Sequence, residues 1–283
     1  MLFDAVRAEL LRFSRNTQAW FWALLAIPVG TAIVGILFRQ FLYGQFQKAE
    51  ANLPASVGQI AHAPLDLGTL MVDQASQLAG ANLLAFFLIG AAAIAASDYR
   101  WETWRLIRPR NSRLNLVLGK ALAIAIIAAI PLLLFLLCEI VAQIISATIE
   151  HRTMKIGLDA NRFMTILGMV VASWLRAIQT GLVALLAALA TRSLFGGFVI
   201  AIAFGFGSFM VERMMLGLGW GPSEWRTLLL FPSAAYATVQ TYLAHGPVTV
   251  AIAAKALTGL LLWVAAPTAL SVWLFQRQDL SKE

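Results

Sequence analysis

The sequence predicts an all-α integral membrane protein with six transmembrane helices and an N-terminal interfacial helix. Three observations carry this expectation. Of the 283 residues, 60% are apolar and 12% are charged, against roughly 25% charged in soluble domains. Several apolar runs reach the ~20 residues that a helix needs to cross the hydrocarbon. The basic residues are shared unevenly among the connecting segments. A chain so poor in charge cannot clothe a water-facing globule or stay unfolded, which argues against a soluble enzyme and a disordered chain. A mean hydropathy of +0.78 agrees.

The N-terminal stretch comes first. On a helical wheel Leu2, Phe3, Val6, Leu10 and Phe13 share one arc, while Asp4, Arg7, Arg12 and Arg15 lie outside it. Such a helix suits the headgroup plane, with arginines reaching lipid phosphate and Trp20 and Trp22 following in the interfacial belt. The spans follow at Ala19–Phe38, Ala79–Ser97, Ala121–Ile149, Phe163–Ala190, Leu194–Val211 and Ala256–Phe275. Bulky FRQFLYGQ after the first run offers no small-residue cleavage site, so that helix is expected to stay as an anchor. No repeat or low-complexity linker divides the chain, and residues 1–283 read as one membrane domain.

Charge sets the orientation. With the N-terminus inside, the inner segments hold twelve basic residues in 52 positions and the outer ones eight in 97. This density difference places both termini in the cytoplasm, in the cytoplasmic membrane. The net charge of +7 is then a topology signal and lipid contact, and no nucleic acid is expected. The lone cysteine, Cys138, excludes an intrachain disulfide.

Residues 98–120, DYRWETWRLIRPRNSRLNLVLGK, carry the densest signal. Ser97 or Asp98 can cap a short helix whose first turn holds Glu102. Trp101, Trp104 and Arg105 share a face by i,i+3 and i,i+4 spacing, and Arg108-Pro109 stops the helix. The product is a short aromatic helix suited to a partner's groove, since Trp and Arg are favoured interface anchors.

These features together resemble the ATP-binding cassette (ABC) type-2 exporter permeases. That family's cytoplasmic pattern runs acidic, x, Gly-Thr, Pro, Ser-Arg, Gly-Lys. Here Glu102, Thr103, Pro109, Ser112, Arg113, Gly119 and Lys120 match it. Glu102 stands where the family has glycine, so Asp98 or Glu102 takes the acidic position. The resemblance implies a type V exporter fold, with a second permease copy or paralogue and two separate ATPase subunits. It implies that Asp98, Tyr99, Arg100, Trp101, Glu102, Thr103, Trp104 and Arg105 form the coupling helix. ATP and Mg would belong to the partner, because this chain has no GxxxxGK[ST] loop. No catalytic residue, cofactor site or metal site is expected. His62, His151 and His245 are far apart and read as surface histidines.

Ionisable residues inside spans cost free energy and usually face protein or water. Glu139 and Gln143 lie one turn apart on the third span, and Arg176 and Gln179 share a face of the fourth. Depths that differ by only about 6 Å at 1.5 Å per residue predict a Glu139–Arg176 ion pair lining the translocation path or its gate. Glu212, which ends the fifth span, is assigned with Glu139, Gln143, Arg176 and Gln179 to the path or gate. In that span Gly197, Ala201 and Gly205 form a small-xxx-small stripe expected at the dimer axis. The 36 residues after it are broken by Gly217, Gly219, Gly221, Pro222 and Pro232 and read as a re-entrant helical hairpin. The leading reading is an exporter of amphipathic or hydrophobic substrates. A stand-alone secondary transporter or channel would show inverted halves with broken helices, and a lipid-modifying enzyme would show clustered Asp, His or Ser; the sequence shows neither.

Overall fold

A backbone surrounded by hydrocarbon must satisfy its own hydrogen bonds, so long apolar runs become helices. The computed structural model describes residues 2–49, 63–100 and 112–278. Its helices are α1 (Leu2–Arg15), α2 (Thr17–Ala49), α3 (Leu67–Gln77), α4 (Ala81–Arg100), α5 (Arg113–Ile149), α6 (Ala160–Thr191), α7 (Leu194–Gly217), α8 (Trp225–Leu230), α9 (Pro232–Leu243) and α10 (Val250–Arg277). Six of them, α2, α4, α5, α6, α7 and α10, are long and apolar enough to cross a membrane. The protein is an all-α, multi-pass membrane protein by that measure.

Each span contains its predicted core and several run further. The first was expected to end at Phe38, yet α2 continues to Ala49. Leucines and phenylalanines stop being required beyond the hydrocarbon, whereas good helix formers such as Gln and Lys keep the helix going. A single π-turn, Phe21–Leu25, interrupts α2 near its start.

The bundle is built around α4, α5 and α6. In α4 the alanine run packs on several sides at once, with Ala91, Ala92, Ala95 and Ala96 all buried. Small side chains let neighbouring backbones approach closely. Gly181 of α6 shows how closely: a methyl there would lie 2.6 Å from Ile124 Cγ2. By contrast α7 leaves most of its apolar surface outside the subunit, including Phe195, Phe206 and Met214.

The N-terminal helix forms as predicted, but its apolar arc is divided. Val6 and Phe13 are buried while Phe3 is 80% exposed. The buried side, which also carries Ala5 and Glu9, sits on the start of α5, where a methyl on Gly119 would lie 2.8 Å from the Ala5 Cβ. Thus α1 is clamped to the bundle along one face and offers only the other to its surroundings.

At the face opposite the termini, the segment after residue 62 is not a loose connection. Leu65–Asp66 pairs in parallel with Met154–Lys155. Asp66 caps α3 by accepting from the Gly68 N–H at 2.9 Å and receives Arg162 Nη1 at 2.7 Å. Arg162 beside it holds the Asp66 carboxyl well below the usual carboxylate range, at about 2. Ala75 and Leu78 are then fully buried against the spans.

Candidate functional site

The site is built at two levels: a charged frame at the end of the bundle where α1 begins and α10 ends, and a polar cluster at mid-depth.

At the frame, Asp98 ends α4 and Lys120 lies two turns into α5. Lys120 is fully buried, a position a lysine holds only when paired. Its Nζ lies 2.7 Å from Asp98 Oδ2 and 3.1 Å from Glu9 Oε1, and it donates to the Ile94 carbonyl at 2.8 Å. Arg12 Nη1 completes the group, 2.8 Å from Asp98 Oδ1 and 3.2 Å from Glu9 Oε1. Among the described residues, two cations thus face two carboxylates where α1, α4 and α5 meet. Burial pushes the Glu9 carboxyl up, against the pull of Lys120. Sequence reasoning singled out Asp98 and Lys120, missed Glu9, and assigned Arg12 to lipid phosphate where it instead pairs with Glu9 and Asp98. The available signal was the i,i+3 pair of opposite charges on α1.

Next to this group, Tyr99 donates its hydroxyl to Gln278 Oε1 at 2.7 Å, and Gln278 Nε2 donates to the Leu189 carbonyl at 2.6 Å. Arg113, the first residue of α5, donates to the carbonyls of Phe275, Gln276 and Gln278 at 3.1, 2.7 and 2.9 Å. A guanidinium here satisfies carbonyls that a helix C-terminus leaves open. The ends of α4, α5 and α10 are thereby held together. Trp101, Glu102, Thr103, Trp104 and Arg105 lie outside the described residues, between Tyr99 and Arg113; Arg100 is the last helical residue of α4.

At mid-depth the structure corrects one expectation. Glu139 and Arg176 form no ion pair. Similar depth did not make them neighbours, because each helix turns its polar face to a different partner. Glu139 and Gln143 face α2: Arg39 Nη1 donates to Gln143 Oε1, and Arg39 and Thr31 are the polar groups acting on Glu139. Arg176 and Gln179 face the other way. Arg176 Nη1 donates to Gln179 Oε1 at 2.5 Å, with Glu212 of α7 and Tyr236 of α9 as the charged and titratable groups nearest it. Ser173 and Tyr236 share a hydrogen bond of 2.8 Å, Gln240 Nε2 donates to the Tyr236 hydroxyl at 2.6 Å, and Ser233 Oγ donates to Glu212.

The small-residue stripe is a second correction. Gly197 packs inside the subunit, where a methyl would lie 2.7 Å from the Ala188 Cβ of α6, and Ala201 is buried. Two of the three residues assigned to a dimer axis are therefore buried inside the subunit, Gly197 against α6. Gly205 has nothing within 4 Å of an added methyl.

The hairpin expected between the fifth and sixth spans is present as α8 and α9, turning at Phe231. It leans on α10: a methyl on Gly259 would lie 2.2 Å from the Leu228 carbonyl oxygen, and Trp263 Nε1 donates to the Leu229 carbonyl at 2.8 Å. Gly259 and Trp263 lie about 14 and 20 Å along α10 from Val250 at a rise of 1.5 Å per residue. The turn of the hairpin therefore sits beside the interior of α10.

Among the described residues, no cluster of three His, Cys, Asp or Glu could hold a metal ion. His151 and His245 adopt the left-handed conformation (φ 51° and 58°) just past the ends of α5 and α9, a backbone role in which histidine is tolerated. His62 lies outside the described residues.

Residues 32–281, most of the chain, match the family described as protein of unknown function (DUF2705). No curated protein matches the chain.

Proposed function

The chain belongs to the DUF2705 family, and we propose that it is the transmembrane permease subunit of an ABC exporter. Two permeases would pair with two ATPase subunits. Both termini would lie in the cytoplasm, the positive-inside distribution giving the direction, and the chain would sit in the cytoplasmic membrane. The substrate would be amphipathic or hydrophobic. ATP and Mg would be bound by the partner.

The observation that carries the reading is the buried Asp98–Lys120 pair. The resemblance links an acidic residue to a later Gly-Lys, and here Asp98 meets the Lys120 of Gly119-Lys120. This favours Asp98 for the acidic position. It also gives segment 101–111 fixed ends. Asp98 and Lys120 lock α4 to α5, Tyr99 and Arg113 lock both to the end of α10, and α1 closes the group through Glu9 and Arg12. Force applied to a segment mounted this way is delivered to three spans together, which is what a coupling element requires. The hairpin would act as a re-entrant cap over the outer end of the path.

The test is purification of the full chain from its native membrane, compared with the Trp101→Ala, Trp104→Ala double variant. An equimolar ATP-hydrolysing subunit should accompany the wild type and be lost from the variant. A wild-type preparation that brings no nucleotide-hydrolysing subunit, or a variant that retains it with normal coupled hydrolysis, overturns the proposal.

A further inference from the structure

The geometry points to a binding site for an anionic amphiphile at mid-depth in the bundle, with Arg176 holding the charged head and the groove between α7 and α10 seating the chain. As a statement of substrate class this rests on the exporter reading; as a binding site it stands on the residues below.

Arg176 lies halfway along α6, about 24 Å from either end of the helix. A cation at that depth is costly and is normally partnered. It is 8% exposed, yet no carboxylate among the described residues forms an ion pair with it. Of its five N–H donors, its one hydrogen bond among these residues goes to Gln179 Oε1. Gln179 is 1% exposed, and its Nε2 has no acceptor. Ser173 and Tyr236 stand one turn away and across on α9, and their mutual bond uses one hydroxyl proton of the two they hold. Glu212, the one carboxylate acting on Arg176, is already engaged by Ser233. The cluster therefore carries unspent donors around a positive charge. An oxyanion, phosphate or carboxylate, is the complementary ligand.

Space for it lies alongside. The contact of Gly197 with Ala188 sets α6 and α7 antiparallel, which brings Gly205 near the level of Thr180, one turn from Arg176. Although Ala201 and Glu212 on the same stripe are buried, Gly205 borders open space. Gly205 therefore makes no close contact with α6 through its Cβ direction. On the next face of α7 a groove of about 560 Å³ is lined by Phe204, Gly207, Val211, Phe231 and Trp263. It is almost wholly apolar and reaches Val211 beside Glu212. The headgroup donors lie on α6 and α9 and the apolar seat on α7 and α10, with Glu212 of α7 acting on Arg176 and adjoining the seat through Val211, an arrangement that selects an ionised head on an apolar chain.

The test uses the full chain in a neutral detergent without nucleotide or ATPase, so its outcome is independent of the exporter reading. Binding of dihexanoyl phosphatidic acid, inorganic phosphate and uncharged dihexanoylglycerol is measured by titration calorimetry. The expected order is phosphatidic acid, then phosphate, then the glyceride. Arg176→Gln should weaken phosphatidic acid and phosphate alike by about tenfold or more. Glu212→Gln, which removes the competing carboxylate, should tighten both. Gly207→Leu fills the groove where an added methyl meets nothing within 4 Å, and should weaken phosphatidic acid while leaving phosphate unchanged. Equal binding of all three probes, weaker binding to Glu212→Gln, or an unaltered Arg176→Gln with a normal unfolding temperature overturns the site. Phosphate binding that Gly207→Leu and acyl chains do not affect overturns the assignment of an amphiphile.

Discussion

Lys120 Nζ and Asp98 Oδ2 lie 2.7 Å apart with both side chains withdrawn from solvent. Neither helix could bury its charge alone. Removing one partner strands the other, a loss of about 3–5 kcal/mol for buried pairs. Lys120→Met should therefore lower the unfolding temperature in detergent sharply. Lys120→Met combined with Asp98→Asn should recover part of the loss. A double variant that is additive would show that the two charges are not coupled.

Glu139 belongs with Arg39 and not with Arg176. In double-mutant cycles of unfolding, Glu139→Gln and Arg39→Met should show a coupling of about 0.5 kcal/mol or more. Glu139→Gln and Arg176→Gln should add within roughly 0.5 kcal/mol. A strong 139–176 coupling would restore the ion pair that the helix faces argue against.

Asp66 gives an acid-side signature. Arg162 holds its carboxyl at about 2, below its ordinary 3.8. Between those values the unfolded chain binds more protons, so the contribution of Asp66 is complete above about pH 4 and is lost as pH falls toward 2. Protease resistance of the segment carrying α3 should fall across that window. Asp66→Asn should lack this fall and be less resistant at neutral pH. An identical profile for both proteins would refute the role of the pair.

Gly259 lets the backbone of Leu228 rest on α10. Gly259→Ala puts a methyl 2.2 Å from the Leu228 carbonyl oxygen, so the hairpin must move. Overpacking of this kind costs about 1–3 kcal/mol. The expected result is a lower unfolding temperature and faster proteolysis between α7 and α10. Gly35→Ala, with nothing within 4 Å, is the control and should be neutral. The contrast also tests whether the hairpin and α10 move as one body.

The spans were legible because crossing hydrocarbon imposes length and apolarity on each run independently. The helical hairpin was legible through Gly217, Gly219, Gly221, Pro222 and Pro232, which forbid one continuous helix. What the sequence could not supply was rotation. Depth along a helix follows from counting, but the faces of α5 and α6 that carry Glu139 and Arg176 depend on how all neighbours pack. The same holds for Gly197 and Ala201, whose spacing fits a partner in either subunit. The charged frame was half legible. Asp98 and Lys120 lie in one loop-and-helix segment, whereas Glu9 meets Lys120 across 111 residues, beyond any local pattern.

The grip of Arg113 on the end of α10 also has a consequence for biogenesis. Gln278 is translated 165 residues after Arg113, and it is also the residue that Tyr99 and Leu189 wait for. The frame around segment 101–111 can therefore close only after the sixth span has emerged and inserted. A nascent or truncated chain that ends before Gln278 would lack these contacts. The fold thus makes the contacts that join α4 and α5 to the end of α10 contingent on a finished membrane domain.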